Sequence, residues 1–312
     1  MHRPDPSGSR RHFLNEGPTI GATVMGDGGV SSFEALDLTI VIPTLNEAGH
    51  LGGCLDAIGS GFARKVVVLD SGSTDETREL ARRPGVDWLD FRWNGRFPKK
   101  RNWYLREHTP ETRWVLFLDA DEFLTPDFKQ ELRRVLPDTG YVGFWLRYSV
   151  YFLGRKLKGG YPMKKLALFR VGAGEYERID EDRWSALDME VHEHPVLTGP
   201  VGSIRSKIDH RDIRGIGPYM AKHAEYASWE AARFLKSSGD PAVRARWTWK
   251  QKLKYRLIRT PFTGVVYFFA SYFVYGGWMD GSAGFAFALL KMSYFTQIYC
   301  RIRELDGKMH NP

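Results

Sequence analysis

Cysteine is nearly absent. Two residues, Cys54 and Cys300, in a chain of 312 exclude a disulfide framework and a cysteine-built metal site. Both are expected to be reduced thiols of a cytosolic compartment. Residues 1–36 carry Arg3, Arg10 and Arg11 but lack an apolar core of signal-peptide length, so they read as a disordered leader rich in Gly, Ser and Pro. No internal repeat is visible. Acid is missing altogether from 241–260, where Arg244, Arg246, Lys250, Lys252, Lys254, Arg256 and Arg259 stand alone. Charge of either sign is missing from the next 19 residues, Pro261–Met279. The balance of the chain is +8 with 14% aromatics, a composition that suits nucleic acid, anionic membrane or phosphorylated ligands. No RNA- or DNA-binding motif accompanies it, and the acidic segments described next oppose that class.

What is present is an ordered set of three apolar runs that stop abruptly at polar residues: Thr39 to Glu47, Val66 to Asp75 and Trp114 to Asp121. Continuous β-branched runs of this length predict strands buried on both faces, as in a parallel sheet. Ligands of open α/β sheets sit at the carboxyl ends of the strands. Asn46, Glu47, Asp70, Asp75, Asp119 and Asp121 are thereby delivered to one edge, and so much carboxylate calls for a cation or a sugar. The spacing predicts strands over 39–43, 65–69, 86–91 and 115–118, with helices near 47–58, 74–83, 99–108 and 126–136. Asn46 or Glu47 is the candidate cap of the first helix and Ser73 that of the second. Beyond residue 140 the pattern turns mixed, with strands at 141–151 and 165–171 and a helix at 219–235. With 43% apolar residues, 312 residues can hold one large domain with an appendage.

Pro43-Thr44-Leu45-Asn46-Glu47, then Asp70-Ser71-Gly72-Ser73-Thr74-Asp75, then Asp119-Ala120-Asp121 resemble the family-2 glycosyltransferases in order and spacing, over about residues 37–235. The resemblance implies a GT-A fold: a mixed, mostly parallel Rossmann-like sheet flanked by helices, with the catalytic domain at 37–240 and a basic, apolar, helical, membrane-associating tail at 241–312. It also implies an inverting transfer of a hexose from a nucleotide diphosphate sugar, a UDP-sugar being favoured. Val191-His192-Glu193 and the aromatic, basic tail are similar to bacterial lipopolysaccharide-core glucosyltransferases, which points to a cell-envelope glycan or lipid-linked acceptor. A polyprenyl-phosphate sugar synthase with a spanning tail is the alternative.

Within that frame, Asp121 is the expected ligand of a divalent cation, Mn2+ or Mg2+, that neutralises the leaving phosphates. Asp119 would support the cation or the ribose, and the alternative is capping of the helix that follows. His210 could complete the metal shell. Pro43, Thr44, Asn46 and Glu47 are implied in nucleotide binding, and Asp70 is placed to accept from a base imide N–H. Lys100 and Arg101 open a helix, where cations oppose the macrodipole; phosphate binding would justify them, as would a solvated face. Glu193 is the candidate general base and Glu190 its rival. Tyr161 and Trp145 could stack on a sugar, and Lys165 or Arg170 could meet an acceptor phosphate.

The 19 apolar residues Pro261–Met279 as one helix would span about 28 Å, close to the hydrocarbon thickness. Gly264, Gly276 and Gly277 among Tyr and Trp suit an interface better, and the basic block before it suits anionic lipid. These features place the chain on the cytoplasmic face of the bacterial inner membrane, peripheral or monotopic.

Overall fold

The computed structural model describes residues 34–178, 194–239, 241–245 and 247–310. In chain order the elements are β1 (Leu36–Thr44), α1 (Ala48–Ile58), β2 (Ala63–Asp70), α2 (Thr77–Ala81), β3 (Val86–Asp90), α3 (Lys100–Glu107), β4 (Trp114–Phe117), β5 (Glu122–Phe123) and α4 (Pro126–Val135). There follow β6 (Gly143–Phe152), β7 (Arg155–Lys156), β8 (Lys164–Arg170), β9 (Gly174–Tyr176), β10 (Pro195–Leu197) and β11 (Val201–His210). The helices α5 (Ile216–Gly239), α6 (Pro241–Ala245), α7 (Trp249–Leu257), α8 (Thr263–Phe269) and α9 (Gly281–His310) complete the chain.

The main sheet runs β3-β2-β1-β4-β8-β6-β11-β5. β3, β2, β1 and β4 are parallel neighbours. Antiparallel β8 then joins β4 to β6, and β11 lies parallel to β6. The fold is therefore a mixed, mostly parallel sheet flanked by helices. Strand alternation explains why both faces are covered. Leu38, Ile40 and Ile42 of β1 join one core with Val66, Val68 and Leu116, whereas Val41, Val67, Leu69, Val115 and Phe117 join the core on the other face. Successive side chains of a strand point to opposite faces, so an uninterrupted apolar run fits only where both faces are packed. Pro126 at the first turn and Thr125, whose hydroxyl accepts from the Phe128 N–H, start α4.

Two local expectations fail. The helix after β2 begins only at Thr77, and its N-cap Glu76 makes no side-chain cap bond. Ser73 is not a cap: its hydroxyl donates to Asp70 Oδ1 at 2.5 Å, and this turn consumes the residues assigned to a first helical turn. Pro261–Met279 is also not one helix. α8 gives way to a π-helical turn at Ala270–Val274, a break at Gly276 with φ 75°, and a 3-10 turn at Gly277–Asp280. Among the described residues no helix is long and apolar enough to cross a membrane, so the spanning tail is not found there.

The C-terminal helices pack back onto the sheet domain instead. Ala227, Ala231 and Phe234 of α5 form a core with Ile258, Tyr294, Ile298 and Ile302. The hairpin between α8 and α9 is tied to the β7–β8 connection: Lys158 N and Gly159 N donate to the Asp280 carboxylate at 2.9–3.0 Å, and Ser271 Oγ donates to Gly160 O at 2.6 Å. A Cβ at Gly159 would fall on the carbonyl oxygens of Tyr275 and Gly276, so this close approach requires glycine.

Ile298 is fully buried between α9 and α5. Ile298→Ala should lower unfolding stability by about 2–4 kcal/mol, read by denaturant titration. A change within about 0.5 kcal/mol, the range of a surface substitution, would show that the C-terminal helices do not share the cooperative unit.

Candidate active site

β1 and β2 end side by side, and their loops are clasped by their own polar residues. Asn46 sits in the left-handed region with φ 55°, which asparagine tolerates. Its N–H donates to Ser73 Oγ, and its Oδ1 accepts from Thr74 N, both at 2.8 Å. Asp75 accepts from Ala48 N at 3.1 Å and from Thr77 N at 3.0 Å. Asp70, almost fully buried, accepts from Thr44 Oγ1 and Ser73 Oγ on one oxygen and from Gly72 N and Ser73 N on the other. In this structure Asp70 thus fastens the loop; a base imide would have to replace one of four donors. Lys100 lies buried beneath this edge, its Nζ donating to Thr44 O at 3.1 Å. It supports the end of β1 here and is not presented to the cavity. Pro43 and Glu47 do line the cavity.

β4 hands the chain to Asp119, whose own turn closes through Glu122 N–H donating to Asp119 O at 2.9 Å. Three carboxylates therefore crowd four residues. Arg101 Nη2 donates to Asp119 Oδ1 at 2.9 Å, and Lys165 Nζ stands between Asp119 Oδ2 and Glu122 Oε1, 2.5 Å from each. Burial alone would raise the Asp119 carboxyl, but the Lys165 ammonium and the Arg101 guanidinium override it and hold it well below the usual carboxylate range. Glu122, with no exposed surface, is pushed up to about 7: burial dominates, Lys165 pulls against it, and Asp119 and Asp121 add to it. Asp119 is consequently matched by two cations in this structure. Lys165, expected as a contact for an acceptor phosphate, belongs to the carboxylate cluster.

Asp121 Oδ2 lies 3.6 Å from His210 Nε2, which β11 delivers, and 3.7 Å from Arg214 Nη2. Burial lowers the His210 pKa despite Asp121, so the imidazole is neutral and its nitrogen available. Two donors that far apart can share an ion with ligand distances of about 2.1 Å, and the carboxylate–imidazole pair fits Mn2+ well. Among the described residues no three His, Cys, Asp or Glu side chains form a complete metal site; a cation bound here would take its remaining ligands from water and the donor phosphates.

Sequence reasoning missed several participants. Glu122 directly follows the Asp-Ala-Asp triplet, yet a single extra acid carries no pattern. Arg214 binds Asp212 through two bonds of 2.8 Å and reaches Glu47 Oε1 at 3.1 Å. His50 donates from Nδ1 to Glu47 Oε2 at 2.8 Å and accepts from Ile213 N–H at Nε2, 3.2 Å. These bonds join the β1 edge to the segment after β11, which is 163 residues away and has no motif to reveal it. Arg170 is elsewhere, its guanidinium stacked on Trp114 at 5.1 Å and bonded to Thr139 O and Tyr141 O. Trp145 packs edge-on against His194 and does not line the cavity. Glu190 and Glu193, with His192, lie outside the described residues.

Arg101, Asp119, Asp121, Lys165 and His210 open on one cavity of about 800 Å3, a size usual for ligand sites. Lys165→Met leaves Glu122 buried beside Asp119 without its cation. Stability should fall by about 3 kcal/mol, the low end for a broken buried pair, because Lys165 is 29% exposed. The double variant Lys165→Met/Glu122→Gln should recover most of that loss in chemical denaturation. If it is as unstable as the single variant, Lys165 does not act through Glu122.

The model of the family described as Glycosyl transferase family 2 matches residues 39–185. The 4,4'-diaponeurosporenoate glycosyltransferase of Staphylococcus aureus (strain USA300) is 29% identical over 160 residues, 49% of this chain and 42% of that protein. A TPR repeat-containing protein of Synechococcus elongatus is 27% identical over 228 residues, 67% of this chain and 54% of that protein. The chain spans about half the length of these curated relatives. Among solved structures, glucosyl-3-phosphoglycerate synthase from Mycobacterium tuberculosis, in complex with Mn2+ and uridine-diphosphate-glucose, is 21% identical over 36% of this chain and 43% of that one. Its TM-score is 0.29, too low for that likeness to bear on the site. Residues 39–185, which that model matches, hold β1, β2 and β4 with their motifs in chain order, and the ends of β1 and β4 line one cavity.

Proposed function

We propose that the chain transfers a hexose, with inversion, from a UDP-type nucleotide diphosphate sugar to a cell-envelope glycan or lipid-linked acceptor of lipopolysaccharide-core or exopolysaccharide type. The observation that carries this reading is the convergence of the β1 and β4 ends, with the β2 loop clasped to the β1 loop, on a cavity where Asp119 and Asp121 face Arg101, Lys165 and Arg214. Carboxylates and cations together suit a diphosphate that arrives with a divalent cation; either sign alone would suit only one of them. Mn2+ or Mg2+, held by Asp121 and His210 with Asp119 beside them, would neutralise charge on the leaving diphosphate. Arg101 and Arg214, already oriented by Asp119 and Asp212, add fixed positive charge at no cost of reorganisation during the reaction. The acceptor hydroxyl oxygen forms the new bond to the anomeric carbon as the bond to the diphosphate breaks. Its proton passes to Glu193, the base assigned from sequence, with Glu190 as the rival.

The proposed location is the cytoplasmic face of the bacterial inner membrane, with the C-terminal helices lying on it. Phe262, Phe269, Phe273, Val274 and Trp278 are all more than half exposed, and Lys252, Arg256 and Arg259 stand just before them in sequence. Aromatic residues suit the headgroup level, and cations suit anionic lipid.

A panel of nucleotide sugars, scored by nucleotide release with Mn2+, tests the activity. UDP-sugars should be turned over, and Asp121→Asn should weaken Mn2+-dependent UDP binding about tenfold or more by calorimetry while the circular dichroism spectrum stays that of the parent. Equal UDP affinity in the variant would sink the assignment of Asp121. For the membrane surface, the full chain should sediment with vesicles containing anionic lipid, resist release by high salt and be freed by detergent. Replacing Phe269 and Trp278 by serine should move it to the supernatant, and an unmodified chain that never sediments would refute the location.

A further inference from the structure

The cavity does not end at the carboxylates. It continues as an aromatic chamber between α5, which contributes Tyr219, His223 and Tyr226, and α9, which contributes Phe287, Lys291 and Tyr294. The α9 residues recur at i, i+4 and i+7 and so share one face. The Tyr219 ring stacks on His223 with centroids 3.9 Å apart, and His223 meets the edge of Tyr294 at 5.3 Å. Two lysines stand in this wall: Lys222 of α5, over the Tyr226 ring at 5.8 Å and drawn by Asp121 and Asp119, and Lys291 of α9, on which those acids do not act. The Lys291 ammonium lies over the rings of Tyr161 and Phe287 at 4.8 and 5.3 Å, and among the described residues no carboxylate pairs with it. Burial alone pushes its pKa down to about 8, and no acid of the carboxylate end offsets that. The Tyr219 hydroxyl is likewise buried with no hydrogen-bond partner among the described residues.

A cation partly withdrawn from water without a carboxylate beside it and a buried hydroxyl without a partner both cost free energy. Methionine or leucine at 291 would pack against the same rings without that cost, so packing gives no reason for a lysine. A ligand that brings an anion does. The donor diphosphate has its own cations at Arg101, Lys165 and Arg214, which are paired with the acids of the strand ends. Lys291 is not paired with them and is left for a second anionic group.

We propose that the aromatic chamber is the acceptor subsite and that the acceptor carries a phosphate or carboxylate on a ring or apolar body, with Lys291 as its counter-charge and the Tyr219 hydroxyl as a donor to it. The rings of Tyr161, Phe287 and Tyr294 would pack against the body, and cation–π contact keeps Lys291 in place while the site is empty of anion. This inference rests on the reading of the carboxylate end as the donor site.

Calorimetry on the full chain tests it, with octyl phosphate, octyl glucoside and glucose 6-phosphate as probes below micellar concentrations, and UDP with Mn2+ as a separate titration. Octyl phosphate should bind the parent and bind Lys291→Met about tenfold or more weakly, with Lys291→Arg restoring most of the affinity. Octyl glucoside, with the same tail and no charge, should not distinguish the variants, and neither should UDP. Lys291→Met should melt no lower than the parent, since a partly buried charge without a carboxylate beside it has been removed. Glucose 6-phosphate binding with the same dependence on Lys291, in place of octyl phosphate, would keep the anion site and assign it to a sugar phosphate. Equal binding of octyl phosphate to parent and Lys291→Met, or no binding of either phosphate to the parent, would overturn the proposal. Loss of UDP binding in the parent would count against the donor reading alone, because the Lys291 comparison is read without donor.

Discussion

Asp119, Asp121 and Glu122 are forced together by the end of one buried strand, and their mutual repulsion in a partly buried site is the constraint around which the other site residues are placed. Like charges at a few ångströms in low dielectric cannot all ionise unless cations join them. Lys165 crosses from β8 to bridge Asp119 and Glu122, Arg101 comes from α3, and Arg214 comes from the segment after β11. Lys165 reaches the cluster because antiparallel β8 pairs with β4, and Arg214 because β6 and β11 then continue the sheet; Arg101 comes from the parallel half. The mixed half of the sheet therefore supplies two of the three countercharges for acids that the parallel half delivers.

That division explains what could be read from the sequence. The parallel strands and the Asp-Ala-Asp turn announce themselves, because a strand buried on both faces must be a continuous apolar run and must stop where it meets a ligand. β1, β2, β3 and β4 fall within three residues of their expected bounds for this reason. The roles inside the loops are less legible. Asp70 and Asn46 look like binding residues, yet hydroxyls and backbone N–H groups of their own loops already occupy them. Local side-chain to backbone bonding of this kind leaves the same residue types in the same places as ligand binding does. Countercharges such as Lys165 and Arg214 were invisible as a set, since their meeting depends on strand pairing across 46 residues in one case and on a loop that carries no motif in the other.

The C-terminal helices are less legible in another way. Composition alone makes 241–312 a membrane-associating tail, because an apolar run beside a basic block is the usual sign of one. The run is broken at Gly276, and buried positions of α5, α7 and α9 meet in a common core. Average composition cannot separate the face that packs inward from the face that stays outside; only the positions within each helical turn can. On α9, Phe287 and Ile298 are buried while Phe285 and Leu289 are exposed.

Two-faced helices of this kind tie location to chemistry in the proposed enzyme. α9 places Phe287, Lys291 and Tyr294 in the wall of the cavity, while α8 and the turn that follows it leave Phe269, Phe273 and Trp278 uncovered. The Asp280 carboxylate, by holding the backbone of Lys158 and Gly159, fixes the intervening hairpin to the sheet domain. An acceptor held at the membrane would meet the uncovered rings first and the lined chamber next, within one rigidly packed unit. Amphiphilic acceptors gain from such continuity, since the apolar part need not cross water to bring the hydroxyl to the donor. The positive charge along 241–260 would draw the chain to an anionic surface.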